Sequence, residues 1–310
     1  MITKRLFQAA TVILTVAACS DSNPIAPVTK APVAPKLATA PVGPRWSIFT
    51  TQTPDALVDV TDNPGWEIAT RFHSSKSGKV VGFRVWRASG ETGTTSAKLW
   101  TDGGTKLISA NLPTGTGWQT VYLATPYHIS ANTTYRVSAN INTIQEKTFG
   151  TFQNGPITNG PLTADFSYYG QPAGAMPTQG SYSAFYVDVI FEEDVPLPNL
   201  YVTGINPTLV DAFGNPVVVF SVCNNGAAAS APTTTRYWHW VAPWSGGGYY
   251  QRQVDLSTPS IAAGSCYNFA YQDSSPIANN QYFIWADVND VVYESNENDN
   301  FNQSAWARQF

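Results

Sequence analysis

The sequence predicts an all-β protein built from two sandwich modules that follow an N-terminal leader and tether. Three observations carry this. From Trp46 onward apolar and aromatic residues recur with period two, as in VVGFRVW, TYRVSA and FYVDVIF, and no segment of useful length shows the 3.6 period of an amphipathic helix. Turn signals separate these runs: TDGGTK joins two of them, and PTGTG precedes WQTVYL. Charge is sparse, with 12% of residues charged against 13% aromatic. Solubility therefore rests on Thr, Ser, Asn and Gln, a surface that suits exported sandwiches better than cytosolic helical enzymes.

The leader comes first. Lys4 and Arg5 form a basic n-region, and residues 6–16 form an apolar h-region too short to span a bilayer. Val16-Ala17-Ala18-Cys19 follows and resembles the bacterial lipobox. The resemblance implies removal of residues 1–18, lipidation of Cys19 and attachment to a membrane through that lipid. Ser20, rather than Asp, stands next, which in the lipoprotein sorting pattern favours the bacterial outer membrane or cell surface. Residues 19–45 are a tether carrying Pro24, Pro27, Pro32, Pro35, Pro41 and Pro44. Such composition forms no core and tends towards extended polyproline II.

Residues 46–194 read as a jelly-roll-like β-sandwich. A break falls at EEDVPLPN, residues 192–199. Residues 195–310 then hold the runs LYVTGI, NPVVVFSV, TTRYWHWV, YQRQVDL, CYNFAYQ, QYFIWAD and FNQSAWA, a number and spacing that fit an immunoglobulin-like sandwich.

Two family resemblances fit this division. WEIATRFHSSKSGKVVGFRVWRA, SAKLWTDGGTKL, GWQTVYLATPYHISANTTYRVSAN, NGPLTA and FYVDVIF resemble, in order, the bacterial family called domain of unknown function 4082. Ile68-Ala69 departs from that family's usual Leu-Gly, and NTIQEKTFG matches poorly. The resemblance implies a sandwich from exported multidomain bacterial proteins, with no established activity. PNLYVTGI, VVVFSVCNNGAA, IAAGSCYNF and ADVNDVVYESNENDN resemble CARDB, the cell-adhesion-related domain of bacteria. By that resemblance DVNDVVYESNENDN, residues 287–300, closes the last hairpin of an immunoglobulin-like fold. It fails as an EF-hand, since Val291 and Val292 occupy the fifth and sixth positions. No cofactor is indicated, although the ligand chemistry is compatible with a weakly bound Ca²⁺ between the loops. Under the CARDB-like arrangement Cys223 ends the second strand and Cys266 begins the fifth, antiparallel neighbours that a disulfide would join on the outer face.

Net charge is −4, from 17 basic and 21 acidic residues, which argues against nucleic acid as a partner. His73, His128 and His239 form no HExxH pair, and no Gly-x-Ser-x-Gly elbow, Walker loop or Rossmann fingerprint appears. Asp188 stands opposite in parity to Phe185, Val187, Val189 and Phe191, and is expected to be a solvated strand residue. Binding has more support. Phe83, Val85 and Leu99 take core parity, so Arg84, Trp86, Lys98 and Trp100 take the opposite one; Trp118 and Tyr122 likewise oppose Val121 and Leu123. Indole and phenol faces beside polar groups suit sugar rings or a protein surface. Cover by loops or by the other module is the alternative, because Trp is usually mostly buried. In TRYWHWVAPWSGGGYYQ, parity leaves Trp238 and Trp240 either out, with His239 in, or both buried.

The function expected is non-catalytic adhesion or recognition of a glycan or surface protein from a lipid anchor. A glycan-cleaving enzyme with loop carboxylates and a spacer without a ligand remain as alternatives.

Overall fold

The computed structural model describes residues 40–214, 216–241, 250–273 and 281–304. The leader, Cys19, most of the tether, Trp244 and Tyr249 lie outside the described residues, as do the side chains of Trp240 and Tyr250.

Apart from one short 3₁₀ turn (Thr151–Asn154), the described elements are strands. Before the proline-containing break they are β1 (Arg45–Trp46), β2 (Ala56–Asp59), β3 (Trp66–Ser74), β4 (Gly78–Arg87), β5 (Ser96–Thr101), β6 (Lys106–Asn111), β7 (Gly117–Ile129), β8 (Thr134–Ile141), β9 (Ile144–Lys147), β10 (Ile157–Asn159), β11 (Leu162–Gly170), β12 (Gln179–Ser181) and β13 (Val187–Glu193). After it come β14 (Leu200–Val210), β15 (Pro216–Asn224), β16 (Thr233–Val241), β17 (Tyr250–Thr258), β18 (Ser265–Gln272), β19 (Tyr282–Trp285) and β20 (Phe301–Gln303).

In the first module a smaller sheet, β1-β13-β4-β7, packs against a larger one, β10-β11-β3-β8-β5-β6, with β12 beside β11 and β2 paired to β9 apart. Alternation decides which side chains meet between them. Phe83, Val85, Val187, Val189 and Phe191 from the smaller sheet join Ile68, Phe72, Leu99, Val137 and Ala139 from the larger in one buried cluster. Burying each large side chain contributes roughly 1.5–3 kcal/mol, so this shared apolar face does most to hold the two sheets together.

The second module has seven described strands. β14-β15-β18 form one sheet and β17-β16-β19-β20 the other, all pairs antiparallel. Leu200, Val218, Phe220, Val222, Tyr237, Tyr282 and Ile284 fill the space between. Cys223 and Cys266 are directly opposed in register and joined by a disulfide, as the second-strand and fifth-strand placement implies. Cys223, expected on the outer face, is buried, and Tyr267, next to Cys266, is 41% exposed over the edge of Phe269. Residues 287–300 do lie between the paired strands β19 and β20. Gly226, in the Asn225-Gly226 turn, is required by close approach: a Cβ there would come within 2.4 Å of the backbone at Pro198 and Asn199.

Candidate functional site

The predicted binding residues separate onto two different faces. Arg84, Trp86, Trp118 and Tyr122 lie on the outer face of the smaller sheet. Arg84 pairs with Thr120, Trp86 with Trp118, and Gly82 with Tyr122 across β4 and β7. Lys98 and Trp100 stand on β5, in the larger sheet. Parity is therefore as expected, but a common surface is not, because β4 and β5 belong to opposite layers.

Lys98 and Trp100 are also not exposed, at 7% and 5%. The Lys98 ammonium sits 3.0 Å from both oxygens of fully buried Glu67 and 3.0 Å from Ser96 O. Trp100 Nε1 donates to Ser138 Oγ at 2.7 Å, and that hydroxyl donates to Glu67 Oε1. Residues 171–178 cross this face: Gly174 N donates to Glu67 Oε2 at 2.7 Å, and Pro177 O accepts from Arg136. The cover is what sequence parity cannot see. Lys98 and Trp100 are structural, because a buried carboxylate needs its cation and a buried indole N–H needs its acceptor.

Half of the smaller sheet's outer face is covered as well. After β1 the chain turns across it, placing Ile48 and Phe49 fully inside. Phe49 packs on Trp118 and Tyr186, and Trp86 meets Trp118 edge-on at 6.1 Å. The Arg84 guanidinium lies 4.1 Å from the Trp118 ring centre and donates to Phe49 O at 2.7 Å. Asp188, expected in solvent, is fully buried in this layer. Its carboxylate accepts from Ile48 N (2.8 Å), Phe49 N (3.1 Å) and Val189 N (2.8 Å), with Arg84 Nε 3.7 Å away. Burial pushes its pKa up to about 7, against the opposing pull of Arg84 and the backbone donors. Parity placed Asp188 on the outer face correctly; solvation failed because the polypeptide itself occupies that face.

The other half is open, and Tyr122 lies there, 61% exposed. Two features leave its ring bare. Its cross-strand partner is Gly82, which has no side chain to cover it; a Cβ on Gly82 would come within 2.6 Å of Val121 O. The register also breaks next to this pair: β4 passes from Val80 to Gly82 while β7 passes from Tyr127 to Tyr122. The resulting bulge pulls residues 123–126 away from the ladder. It leaves a shallow cavity of about 400 Å³ lined by Tyr122, Leu123, Pro126, Val81, Arg45, Lys79 and Glu192. Arg45, Glu192, Lys79 and His128 stand side by side on four successive strands. Arg45 Nε donates to Glu192 Oε2 at 2.8 Å, and its guanidinium stands 5.8 Å from the Tyr122 ring centre. An aromatic face, two cations and a carboxylate thus border one open depression. Apolar C–H groups can stack on the ring while hydroxyls find donors and an acceptor at its rim. The bulge left a sequence signal in Leu123-Ala124-Thr125-Pro126, since Pro126 cannot donate to a ladder.

In the second module the expected turn carries buried acids. Asp287 (2% exposed) accepts from Thr233 Oγ1, Val291 N and Val292 N, and adopts φ 45°. Glu294 is buried, bound by Leu200 N and Asn300 Nδ2; burial pushes it up to about 8. The stretch thus works as an inward plug rather than a solvated flank. His239 points into the core, 2.8 Å from Asp273, while Trp238 packs on Phe283 on the opposite side. This resolves the parity left open by sequence: the imidazole is tolerable inside because a carboxylate meets it. No group of three or more His, Cys, Asp or Glu side chains among the described residues could hold a metal ion, and no described helix is long and apolar enough to cross a membrane.

No curated protein matches this chain. Among solved structures, a GH2 beta-galacturonidase from Eisenbergiella tayi bound to galacturonate is 9% identical, covering 80% of this chain and 37% of that one, with a TM-score of 0.19. A calcium-binding mutant of Bacteroides uniformis beta-glucuronidase 2 is 11% identical, covering 83% of this chain and 28% of its own, also at 0.19. The chain spans less than two fifths of either protein, and likeness at that score carries no functional weight. The sequence of the first module does match a family model: residues 51–187, from before β2 to the start of β13, are similar to the Domain of unknown function (DUF4082) family.

Proposed function

We propose that this protein is a lipid-anchored, non-catalytic recognition protein of the bacterial outer membrane or cell surface, binding a glycan through the first module. The observation that carries the reading is the open depression around Tyr122, where a bare phenol ring adjoins Arg45, Lys79 and Glu192. The second module, CARDB-like in its strand and turn sequences, is the adhesion-type partner domain. The Val-Ala-Ala-Cys order at residues 16–19 supports the anchor. The glycan-cleaving alternative gains no support from the acids with raised pKa. Asp188, Glu146 and Glu294 are buried and each accepts a backbone N–H. A glycan array probed with residues 40–310 tests the proposal: retention without product release is expected, whereas release of cleaved sugar would favour the enzyme and uniform silence the spacer.

A further inference from the structure

The sheet β14-β15-β18 ends at β18, and among the described residues no strand pairs with its far side. Ladder alternation tells which backbone groups are left over. Asn225 N donates to Asn199 O at 3.0 Å, so Asn225 and Cys223 face β14. Asn224 faces the other way and its O accepts from Gly264 N at 2.7 Å. Val222, Phe220 and Val218 therefore bond to their partners Tyr267, Phe269 and Tyr271, along a ladder without a register shift. Cys266, Asn268, Ala270 and Gln272 then point their N–H and C=O groups away from the sheet. Among the described residues no backbone group outside the β15 ladder bonds to them, and all four residues are exposed.

Every other described edge is guarded. β1, β10, β12 and β20 hold three residues or fewer. β6, β7 and β14 pair through bulges, and β17 carries Arg252 and Asp255. The separate pair β2 and β9 is four residues long and carries Asp59, Glu146 and Lys147. Short, bulged or charged edges are how sheets avoid joining one another. β18 has none of these guards: its eight residues, SCYNFAYQ, include no charge, proline or glycine. Its core side is also uncovered. Phe269 stacks on buried Phe220 at 4.7 Å, and Tyr267, 41% exposed, stands edge-on to Phe269 at 4.8 Å.

The strand's own chemistry selects what covers it. An added strand must be uncharged and must carry rings on its core side, and β18 itself meets both conditions. Antiparallel pairing of two β18 strands about Phe269 sets Phe269 opposite Phe269 and Tyr267 opposite Tyr271, so each ring gains an aromatic neighbour. The backbone phase agrees. Cys266 meets Gln272 and Asn268 meets Ala270 as hydrogen-bonded pairs, giving about eight N–H···O bonds, within the number a stable interface carries. We propose that β18 is a homodimerisation edge: two copies of the chain pair their β18 strands about a twofold axis at Phe269 and join two three-stranded sheets into one of six strands. The inference is independent of the Tyr122 depression.

Sedimentation equilibrium of the full chain in density-matched detergent tests it. The protein mass should reach that of a dimer by about 100 µM, above the micromolar limit expected for such an interface. Amide exchange at Asn268 and Ala270 should slow as the dimer forms, because those N–H groups become bonded. Ala270→Pro removes an outward N–H and leaves the β15 ladder whole; Tyr267→Lys sets a charge against Tyr271 of the other copy. Each should weaken dimerisation at least about tenfold with a urea midpoint near wild type, and the two act independently should one fail to fold. Ser257→Lys, exposed on β17, should change nothing. A wild-type chain still monomeric at about 100 µM, which leaves the edge to a foreign strand or to solvent, would overturn the proposal. A dimer without slowed exchange at Asn268 and Ala270, or one that a folded variant keeps at wild-type affinity, would overturn it too.

Discussion

Replacing Asp188 with Ala should destabilise the first module strongly, and more so in mild acid than in mild base. The carboxylate is the acceptor for Ile48 N and Phe49 N, which carry the chain across the outer face of the smaller sheet. Without it, three buried donors, Ile48 N, Phe49 N and Val189 N, lose their acceptor, at about 1–2 kcal/mol each, or about 3–6 kcal/mol in all. Arg84 keeps its bond to Phe49 O and its place over Trp118, so the aromatic layer is loosened rather than removed. The pH dependence follows from the raised pKa. Between the ordinary value of 3.8 and about 7, the folded protein holds a proton that the unfolded chain has released. Stability from this group is therefore full below about pH 4, falls as pH rises through about 7, and is level above. Between pH 5 and pH 8 the wild type should lose roughly 2–3 kcal/mol through Asp188 alone, at about 1.4 kcal/mol per pKa unit. Glu146 and Glu294, raised to about 7 and about 8, add slope of the same sign. Urea unfolding of wild type and Asp188→Ala at both pH values measures this. The difference between them should shrink at pH 8. A loss under about 1 kcal/mol at pH 5, or a difference that grows with pH, would refute the reasoning.

Other consequences are as direct. Reducing Cys223–Cys266, separated by 43 residues, should cost the second module about 4 kcal/mol by chain entropy; equal urea midpoints with and without reductant would contradict this. Lys98→Met should cost about 3–5 kcal/mol by leaving Glu67 charged and buried. The Glu67→Gln/Lys98→Met double variant should then be less destabilised than the sum of the two single changes, and simple additivity in a double-mutant cycle would argue against the pair. Cys19→Ala should release the chain from membranes, with mass spectrometry of the wild type showing a lipid on residue 19; unchanged membrane association would remove the anchor from the account.

The fold was largely legible because alternation is a backbone property. Period two assigned Phe83, Val85, Leu99, Val187 and Phe191 to the core, and the structure buries all of them. The disulfide was legible only through the resemblance to CARDB, which makes the second and fifth strands neighbours; the structure sets Cys223 opposite Cys266. The candidate site was legible only in part. Parity put Trp86, Trp100, Trp118, Lys98 and Asp188 on outer faces, but an outer face is not a solvent face when the chain returns over it. Two such returns, at 48–52 and 171–178, decide the burial of Asp188, Lys98 and Trp100, and they depend on long-range docking that no local pattern encodes. Tyr122 stayed open for a reason that sequence shows only in hindsight: Gly82 opposite it and Pro126 four residues on. Arg45, Lys79 and Glu192 were missed because they come from three strands distant in sequence that only register brings side by side.

The central claim is that the first module recognises a glycan at the Tyr122 depression, and titration calorimetry of wild-type and Tyr122→Ala chains against an array-selected glycan tests it most directly. The ring is 61% exposed and the cation beside it, Arg45, keeps its bond to Glu192, so the variant should hold its stability to within about 1 kcal/mol while binding weakens by about 1–2 kcal/mol, roughly five- to thirtyfold. Trp100→Phe, a change in a buried ring, should alter stability and leave affinity near wild type. Undiminished binding by Tyr122→Ala would contradict the account.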